Sequence, residues 1–494
     1  MPVSVWLPCI VDKVLLSDRP RPSTSRHSAR HHGHTAPKAN QPLTPTNGAD
    51  MVQHNNRRLY HSRRAEDDTP GGRQEDGVDE ARVRRMTLAL GRRGFAGLAG
   101  AALLGTRVRA ATSSPIRIGV LSALSGPYTT ISGIGALAAV KLAIEDFHAE
   151  HPDAAVETVS GDIQDKADIG AAVARDWFDR GGVDVITDVP NTAVALAVTT
   201  IASDKNKVLL VSGGTAAVTG RACTPNHLQW SFDTGALVAG TVKTVAREGA
   251  GSWFFITADY SFGQSMQEDA TRLVEASGGK TLGYARYPFP QTTDFSSFIL
   301  TAQASGASVI CLANGGIDAI NCYKQCREFG ILPGGPQRVV ALGMTASDLD
   351  ALGPELAQGL INTEAYHWDF DEPCRSFAKR FAALTGGLVP GHLHAGNYSA
   401  VRQYLRAVMA LGVDRKSDGR AVMAQIKAMP FDDPLFGPGY VRADGHCIHR
   451  LLVLEAKGPK EVRYPNDFQK LVQVIPPDQA FPPLSASACP LVRT

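Results

Sequence analysis

Residues 116–162 decide the fold of this chain. They open with a short apolar segment, 116–120 (IRIGV), pass through a turn, 122–128 (SALSGPY), and continue into an amphipathic stretch over about 135–147. A second strand-like segment, 156–160 (VETVS), follows and ends at Gly-Asp. Two parallel strands need a helical crossover between them, so this order predicts a βαβ unit. Because open α/β sheets bind ligands outside the carboxyl ends of their strands, the turn at 122–128 is predicted to face a ligand.

The same alternation of strand and helix continues along most of the chain. Nearly continuous apolar runs of four to six residues indicate parallel strands that are covered on both faces, and they occur at 183–187, 208–212, 252–257, 309–313, 338–342 and 359–363. Helical patterns lie between and after them, at 168–180, 235–248, 264–277, 295–305, 317–329, 372–384 and 395–411, and a β-like tail follows over 439–474. The series is too long for one sheet and starts afresh at residue 252. It therefore predicts an α/β protein of two doubly wound, Rossmann-like lobes side by side.

The first 110 residues differ in character from the rest. Residues 1–85 are rich in His, Arg, Pro, Asp and Thr and show little hydrophobic periodicity, so they predict either a disordered extension or a start codon placed too far upstream. From Met86, twin arginines at 92 and 93 precede a short apolar run and a small-residue site at Ala110. This order is typical of an export signal, with cleavage expected after Ala110 and residues 111–494 as the mature protein. An amphipathic helix of the fold is the alternative interpretation of 86–110.

The charge of the chain argues against one class of partner, and its cysteines suggest one disulfide. The formal net charge of +2 combines a leader of about +8 with a mature region of about −6, which argues against nucleic acid as a partner. Export permits disulfides, and Cys223 and Cys489 are the pair we expect, because each lies in a loop flanked by Pro. Connectivity cannot be deduced from spacing alone, so this pairing is a hypothesis.

Polar turns follow three of the predicted strands of the first lobe. The first turn contains Ser125 and Tyr128, and the other two contain Asn191, Thr192 and Ala193, and Ser212, Gly213, Gly214 and Thr215. A helix N-terminus offers free backbone N–H groups and the positive end of a dipole, which suit a carboxylate. Ordinary helix caps and turns are the alternative for each one separately. Together, at one sheet edge, they predict a shared anion-binding rim.

Aromatic residues dominate the corresponding turn of the second lobe. Tyr260 follows the strand at 252–257 and is predicted to line a pocket, whereas Phe262 is predicted to pack. Trp230 lies close to the passage between the lobes, where pocket and packing roles are both open. Asn314, directly after the strand at 309–313, is included in the candidate ligand-binding set.

Two of these segments carry a resemblance to a known family. The segment LSGPY (124–128), followed by a helix that ends in AIEDF (143–147), resembles the opening of periplasmic solute-binding proteins of branched-chain amino acid (Leu/Ile/Val) ABC transporters. The resemblance covers 115 to about 430, and the tail from DDPLFG (432–437) to RADG (442–445) is similar too. It implies a type I periplasmic binding fold in which the chain crosses three times between lobes, here near 232–236, 360–368 and 428–440. Lobe 1 would then comprise about 115–233 and 365–430, and lobe 2 about 234–364 and 431–494.

The resemblance also implies roles for individual residues. The turns at 190–193 and 212–215 would hold the ligand carboxylate, and Tyr260 would cover the ligand. Amino acid binders place an acidic residue two positions before an Asp-Phe-Ser motif, and here that position is Thr292. A buried cation without a counter-charge costs several kcal/mol. An α-amino acid is therefore expected to bind poorly and an aromatic acid better, unless Asp259 or Glu364 supplies the missing charge.

Enzymatic motifs are weak by comparison. Residues 133–138 (GIGALA) match a dinucleotide-binding pattern, but they start about 13 residues past the end of the predicted strand, so the pyrophosphate would miss the helix terminus. His392 and His394 lack a clear third metal ligand. The sequence predicts a non-enzymatic, monomeric protein without cofactor, located in the periplasm, that delivers a small solute to the permease of an ABC importer. A ligand sensor that signals to a regulator and a Rossmann-type oxidoreductase are the alternatives.

Overall fold

The computed structural model describes residues 114–249, 251–332 and 334–492. All of them lie in one compact unit, Leu104–Thr494. The predicted N-terminal extension (1–85) and export signal (86–110) lie outside the described residues. Across those described residues, no helix combines the length and the apolar character needed to cross a bilayer.

The first lobe is built on a parallel sheet. Its strands are Ile116–Ser122 (β1), Val156–Asp162 (β2), Val185–Asp188 (β3), Val208–Val211 (β4) and His227–Gln229 (β5), and the helices between them are Gly133–Glu150 (α1), Ala167–Asp179 (α2), Thr192–Asp204 (α3) and Ala216–Thr219 (α4). The strand order is β2-β1-β3-β4-β5. β1 and β2 pair in parallel from Ile116 opposite Val156 to Ser122 opposite Asp162. The predicted βαβ unit is confirmed, and so is the doubly wound architecture.

The second lobe repeats this arrangement. It begins with helix Thr234–Arg247 (α5) and continues with strands Ser252–Ala258 (β6), Lys280–Tyr287 (β7), Val309–Gly315 (β8) and Arg338–Gly343 (β9). The helices that follow the strands are Ser261–Ala276 (α6), Ser296–Ala304 (α7), Gly316–Glu328 (α8), Ala346–Leu352 (α9) and Pro354–Ala357 (α10). The strand order is β7-β6-β8-β9, again parallel. The carboxyl ends of β1 and β6, the first strands of the two sheets, therefore lead into corresponding turns.

The remaining elements complete both lobes. They are Ile361–Glu364 (β10), Glu372–Thr385 (α11), His392–Leu411 (α12), Gly419–Ala428 (α13), Phe431–Asp433 (β11), Gly437–Val441 (β12), Cys447–Ile448 (β13), Leu451–Ala456 (β14), Gln469–Ile475 (β15) and Pro477–Ala480 (α14). Short 3₁₀ turns lie at Val413–Arg415, Leu484–Ala486 and Pro490–Val492. Two small antiparallel sheets form, with the orders β11-β12-β13 and β10-β14-β15.

The packing of β11–β13 bears on where the lobes divide. Phe431, Phe436 and Val441 pack in the same core as β1, α1 and α12, whereas β14 pairs with β10 next to the second sheet. We therefore propose that 431–448 belongs to lobe 1 and that the chain passes between the lobes at 449–450. The sequence predicts this passage earlier, at 428–440, because the apolar pattern of β11–β13 does not show which core receives it.

We propose that the C-terminal segment after β15 also belongs to lobe 1, whereas the sequence predicts it in lobe 2. Phe481 packs edge-on against His446 with ring centroids 4.7 Å apart, and Arg442 donates a hydrogen bond to the carbonyl oxygen of Pro482 at 2.6 Å. Cys489 forms a disulfide with Cys223, with the Cα atoms 5.5 Å apart, and this is the pairing expected from the sequence. The segment after β15 is thus tied covalently to the loop that follows α4.

Candidate functional site

The two lobes meet through aromatic residues at the carboxyl ends of their first strands. Tyr128 of lobe 1 and Tyr260 of lobe 2 bring their hydroxyl groups into contact. Phe289 stacks on Tyr260 with ring centroids 4.2 Å apart and planes inclined by 13°, and it lies 5.7 Å from the Tyr128 ring. We call these three side chains the aromatic cluster. Its position matches the edge at which open α/β sheets bind ligands.

Backbone and polar contacts accompany the aromatic cluster. The N–H of Ile317, in α8, donates to the carbonyl oxygen of Pro127 at 2.9 Å. Gly316 adopts a φ of +61°, and a Cβ atom there would lie 2.3 Å from the same oxygen, so only glycine fits this approach. Thr130 of lobe 1 also donates to Asp348 of lobe 2 at 3.2 Å. The lobes are in direct contact, as in a closed binding protein.

Most side chains of the predicted anion-binding rim are already engaged. Asn191 caps α3, because its side-chain oxygen accepts from the N–H groups of Ala193 (2.9 Å) and Val194 (3.3 Å). Thr215 caps α4 through the N–H of Ala217 at 3.3 Å. The Ser212 hydroxyl donates to the backbone carbonyl of Asp188 at 3.0 Å. For these three side chains, the capping and turn interpretation describes their contacts.

Thr192 differs from its neighbours. It is fully buried, and its hydroxyl oxygen has no hydrogen-bond partner among the described residues. It lies 3.5 Å from the Cβ position of Gly214, and Gln229, whose side-chain oxygen also lacks a partner, lies beside the same glycine. Thr192, Gly214 and Gln229 form the polar wall of lobe 1. Unpaired buried polar groups are costly, so this wall is suited to receive a polar group.

The turn that presents Thr192 is strained. Asp188 and Val189 have φ values of +83° and +49°, a region that non-glycine residues seldom adopt. Such strain costs on the order of 1–3 kcal/mol per residue and persists only where surrounding contacts impose it. Here the buried Asp188 side chain accepts from Ser132 (2.5 Å) and Asn397 (2.8 Å), which hold the turn between β3 and α3 in place.

Gly213 lies next to Gly214 of the polar wall and has a separate role. A Cβ atom there would lie 2.6 Å from the Phe232 ring, so glycine allows that ring to approach. Phe232 in turn lies 4.6 Å from the His392 ring. The predicted rim is therefore joined to the start of α12 through the contact between Phe232 and His392.

Three predicted site residues bond or pack outside the aromatic cluster and the polar wall of lobe 1. Ser125 is exposed, and its hydroxyl donates to Asp162 at 2.6 Å, on the surface of lobe 1. Trp230 is fully buried in the lobe 1 core, where it stacks on Phe431 with centroids 5.1 Å apart. The Thr292 hydroxyl donates to the carbonyl of Pro288 at 2.7 Å. The packing alternative thus describes the contacts of Trp230, whereas Ser125 bonds within the surface of lobe 1 and Thr292 bonds within its own turn.

The lobe 2 side of the contact holds buried polar groups. Asn314 ends β8 and is 1% exposed, and neither of its amide atoms has a partner among the described residues. Asp318, in the first turn of α8, is 4% exposed, and burial raises its pKa to about 6. Asp165 of lobe 1 accepts from the N–H of Tyr128 at 3.4 Å, and burial raises the pKa of this carboxyl to about 7. The aromatic cluster is therefore surrounded by carboxyl groups that ionise less readily than usual.

A further acid lies at the hinge. Glu364 ends β10, and its fully buried carboxyl has a pKa raised to about 8 by burial. One of its oxygens lies 3.9 Å from Nδ1 of His392, whose pKa burial lowers to about 3. His394 bonds instead to the N–H of Gly391 and the carbonyl of Ser132. The described residues contain no cluster of three or more side chains suited to hold a metal ion.

Comparison with known proteins agrees with this geometry. Residues 115–461 match the family model of a periplasmic binding protein. The chain belongs to this family. One solved relative, a periplasmic binding protein from Burkholderia mallei, is 40% identical with a TM-score of 0.73, over 76% of this chain and 99% of that one. Among curated proteins none matches the sequence.

Two further solved structures show the range of similar proteins. A branched-chain amino acid ABC transporter periplasmic ligand-binding protein from Burkholderia xenovorans is 36% identical, with a TM-score of 0.67, over 76% of this chain and 100% of that one. An ABC transporter solute-binding protein from R. palustris, solved with benzoate, is 18% identical with a TM-score of 0.65 over 74% and 97%, and it shows the shared fold alone. The structures named are binding proteins rather than enzymes. Family membership also implies an extracytoplasmic location for this protein.

Several site residues escape prediction from the sequence. Phe289 and Asp318 belong to the site because the fold brings them beside Tyr128, more than 150 residues earlier in the chain. Their own neighbours give no motif. Their one signal is position, since both lie just beyond the carboxyl end of a lobe 2 strand.

Proposed function

We propose that this protein is the extracytoplasmic solute-binding component of an ABC importer and that it traps a small, carboxylate-bearing solute between its lobes. The observation that carries this proposal is the contact between Tyr128 and Tyr260, which lie in the turns after β1 and β6. Thr192 and Asn314 lie on opposite lobes, and within the described part of the chain their buried polar atoms have no hydrogen-bond partner. The relative named as a branched-chain amino acid ABC transporter protein supports the importer role.

Solute capture in this proposal uses the polar wall of lobe 1 and the aromatic cluster at the contact between the lobes. The solute enters when the lobes part, and the polar wall of lobe 1 receives its carboxylate through Thr192 and the backbone around Gly214. Hinge closure then brings the aromatic cluster over the apolar body of the solute. For capture, the closed state need only be favoured further by the contacts that the solute makes with both lobes at once. The closed form would present the rims of both lobes to a membrane permease.

A thermal-shift screen of the mature protein, residues 111–494, tests the proposal. Amino acids, aromatic acids and their amides would be added separately to protein that has been unfolded and refolded to remove any co-purified solute. A ligand at 100 times its Kd adds about 2.7 kcal/mol of stability, which raises Tm by several degrees. The carboxylates, but not their amides, are expected to raise Tm, with calorimetry giving one site per chain. If no carboxylate raises Tm, the proposal is wrong.

Export can be tested independently. We propose that 86–110 is removed after Ala110, so that the mature chain starts at residue 111. Intact-mass measurement of protein from the periplasmic fraction would check this start. A mature chain that retains Arg92 and Arg93 would contradict the proposed signal.

A further inference from the structure

Tyr287, Asn314 and Asp318 form a second polar wall, on lobe 2. They lie at the ends of β7 and β8 and in the first turn of α8, and all three are at least 96% buried. The Tyr287 hydroxyl faces both Asn314 and Asp318. Even so, this hydroxyl, both amide atoms of Asn314 and one Asp318 oxygen have no partner of hydrogen-bonding geometry among the described residues. Four such atoms in one place are unusual in a folded protein, where buried polar groups are nearly always paired.

This wall borders the contact between the lobes. Burial raises the pKa of Tyr128, and the charges of Asp165 and Asp318 raise it further, so both carboxyl groups lie near this ring. Gly316, two residues before Asp318, lies against the backbone of Pro127. Tyr287 also lies within the electrostatic reach of Tyr128. A solute held under the aromatic cluster would therefore reach the unpaired atoms when the lobes close.

The donor and acceptor inventory of the wall selects the group that would fit. The Asn314 amide offers N–H donors and an oxygen acceptor, Asp318 offers an acceptor, and the Tyr287 hydroxyl serves as either. A hydroxyl group both donates and accepts, so it can bond to Asp318 and to the Asn314 N–H groups together. An ammonium group only donates, so it could bond to the Asp318 and Asn314 oxygens but would leave the Asn314 N–H groups unpaired. Its charge would also have to be desolvated, which a neutral hydroxyl avoids. A hydrocarbon group would leave all four atoms unpaired.

We infer that the solute carries a hydroxyl group which binds between Asp318 and Asn314, so that the protein selects hydroxylated carboxylic acids. This inference rests on the proposed function, because it assigns the lobe 2 end of the same solute. The hydroxyl donates to the Asp318 carboxylate and accepts from the Asn314 amide, beside Tyr287. An aromatic and an aliphatic hydroxyl have this chemistry in common, and the stacked rings of Tyr260 and Phe289 accept either body.

Matched probes test the inference by calorimetry. The aromatic pair is 4-hydroxybenzoate and benzoate, which differ by one hydroxyl. The aliphatic set is 2-hydroxy-4-methylpentanoate, leucine and 4-methylpentanoate, which carry a hydroxyl, an ammonium group or hydrogen at the same carbon. In at least one set the hydroxylated acid is expected to bind ~10-fold or more tightly than its parent, because sites built to bond a hydroxyl reject analogues that lack it.

Two substitutions connect that preference to the wall. Asp318→Ala is expected to abolish the preference for the hydroxylated acid while the parent acid keeps its affinity. Asp168→Ala is the matched control, because Asp168 is also a first-turn acid, but it is exposed on α2 of lobe 1. Circular dichroism and the affinity of the parent acid show whether each variant is folded.

The outcomes separate this inference from the proposed function. Equal affinity for each hydroxylated acid and its parent, or a preference for leucine in the aliphatic set, overturns the inference while carboxylate binding stands. Loss of the preference in the Asp168→Ala control also overturns it. Failure of every carboxylate in the thermal-shift screen overturns the proposed function itself.

Discussion

The hydroxyl group of Tyr128, in the turn after the first strand of lobe 1, contacts the hydroxyl group of Tyr260, in the turn after the first strand of lobe 2. The two ring centroids lie 6.5 Å apart, with planes inclined by 47°. Tyr128 is buried and Tyr260 is half-buried at this contact, and loss of solvation raises the pKa of both phenols well above the usual value. Corresponding positions of the two sheets thus form a contact between the lobes, and in the proposed capture mechanism this contact breaks when a solute enters or leaves.

Two substitutions of Tyr260 distinguish the contribution of its ring to solute affinity from that of its hydroxyl. Tyr260→Ala removes both the stacking on Phe289 and the contact with Tyr128, so affinity for the solute found in the screen is expected to fall about 10- to 100-fold, or about 1.4–2.7 kcal/mol. Tyr260→Phe keeps the ring and should lose less than half of that free energy. Calorimetry measures both, and unchanged affinity in Tyr260→Ala would contradict a covering role for this residue.

Thr192→Val tests the polar wall of lobe 1. The Thr192 hydroxyl has no hydrogen-bond partner in the part of the chain that the structure describes, so its removal should leave the Tm of the ligand-free protein unchanged or slightly raised. Solute affinity should nevertheless fall about 10-fold, because one hydrogen bond to a carboxylate is worth about 1.5 kcal/mol or more.

Thr199→Val is a close control for this change. Thr199 lies on the same helix, is buried to the same degree and also has an unpartnered hydroxyl, but it is two turns further along α3. Its affinity for the solute should equal that of the unsubstituted protein. A matching loss of affinity in both variants would show that the effect comes from helix packing.

Glu364 should make stability depend on pH. The pKa of its carboxyl is about 8 in the folded protein against 4.5 for an unburied glutamate. Between these values the folded state keeps a proton that the unfolded state releases, so its contribution is complete below pH 4.5 and is lost as the pH rises through 8. Glu364→Gln is expected to gain stability relative to the unsubstituted protein, by up to a few kcal/mol, as the pH rises from 5 to 8.5.

Denaturant unfolding at several pH values measures this difference. Glu355→Gln, at an exposed position on α10, is the control and should follow the unsubstituted protein at every pH. A constant offset between Glu364→Gln and the unsubstituted protein would contradict a raised pKa for Glu364.

The disulfide should contribute measurably to stability. Cys489→Ser removes a bond that joins residues 266 positions apart, and loss of a native disulfide typically costs about 2–5 kcal/mol. The Tm should fall accordingly, and the Cys223→Ser/Cys489→Ser double variant should fall by a similar amount. Reductant should lower the Tm of the unsubstituted protein but not that of the double variant; sensitivity of the double variant would assign the effect to other cysteines.

The sequence predicts most of the strands because their signal is local. β4 is apolar throughout and β8 is apolar as far as Ala313, because helices cover both faces of a parallel sheet. β7, in contrast, is absent from the sequence prediction. It is an edge strand whose residues alternate between exposed and half-buried positions, and Leu282 and Tyr284 are about half exposed.

The site is less predictable because its contacts are not local. Tyr128 and Tyr260 can be predicted, since each follows a strand at the edge where ligands bind. The turn containing Ser125, however, bends toward Asp162, 37 residues away, and no feature of its own sequence shows that direction. Trp230 lies next to the passage between lobes, but its ring turns into the core formed with Phe431, about 200 residues later.

The bond between Cys223 and Cys489 has a practical consequence for measuring lobe motion. In the proposed division of the lobes, Cys489 anchors the C-terminal segment after β15 to lobe 1, although β15 itself pairs with β14. A fluorescent reporter fused at that terminus would therefore travel with lobe 1. A second dye at the exposed Ser277, at the end of α6 in lobe 2, would complete an energy-transfer sensor. Such a sensor should be produced in an oxidising compartment, because a reducing cytosol would release the anchor.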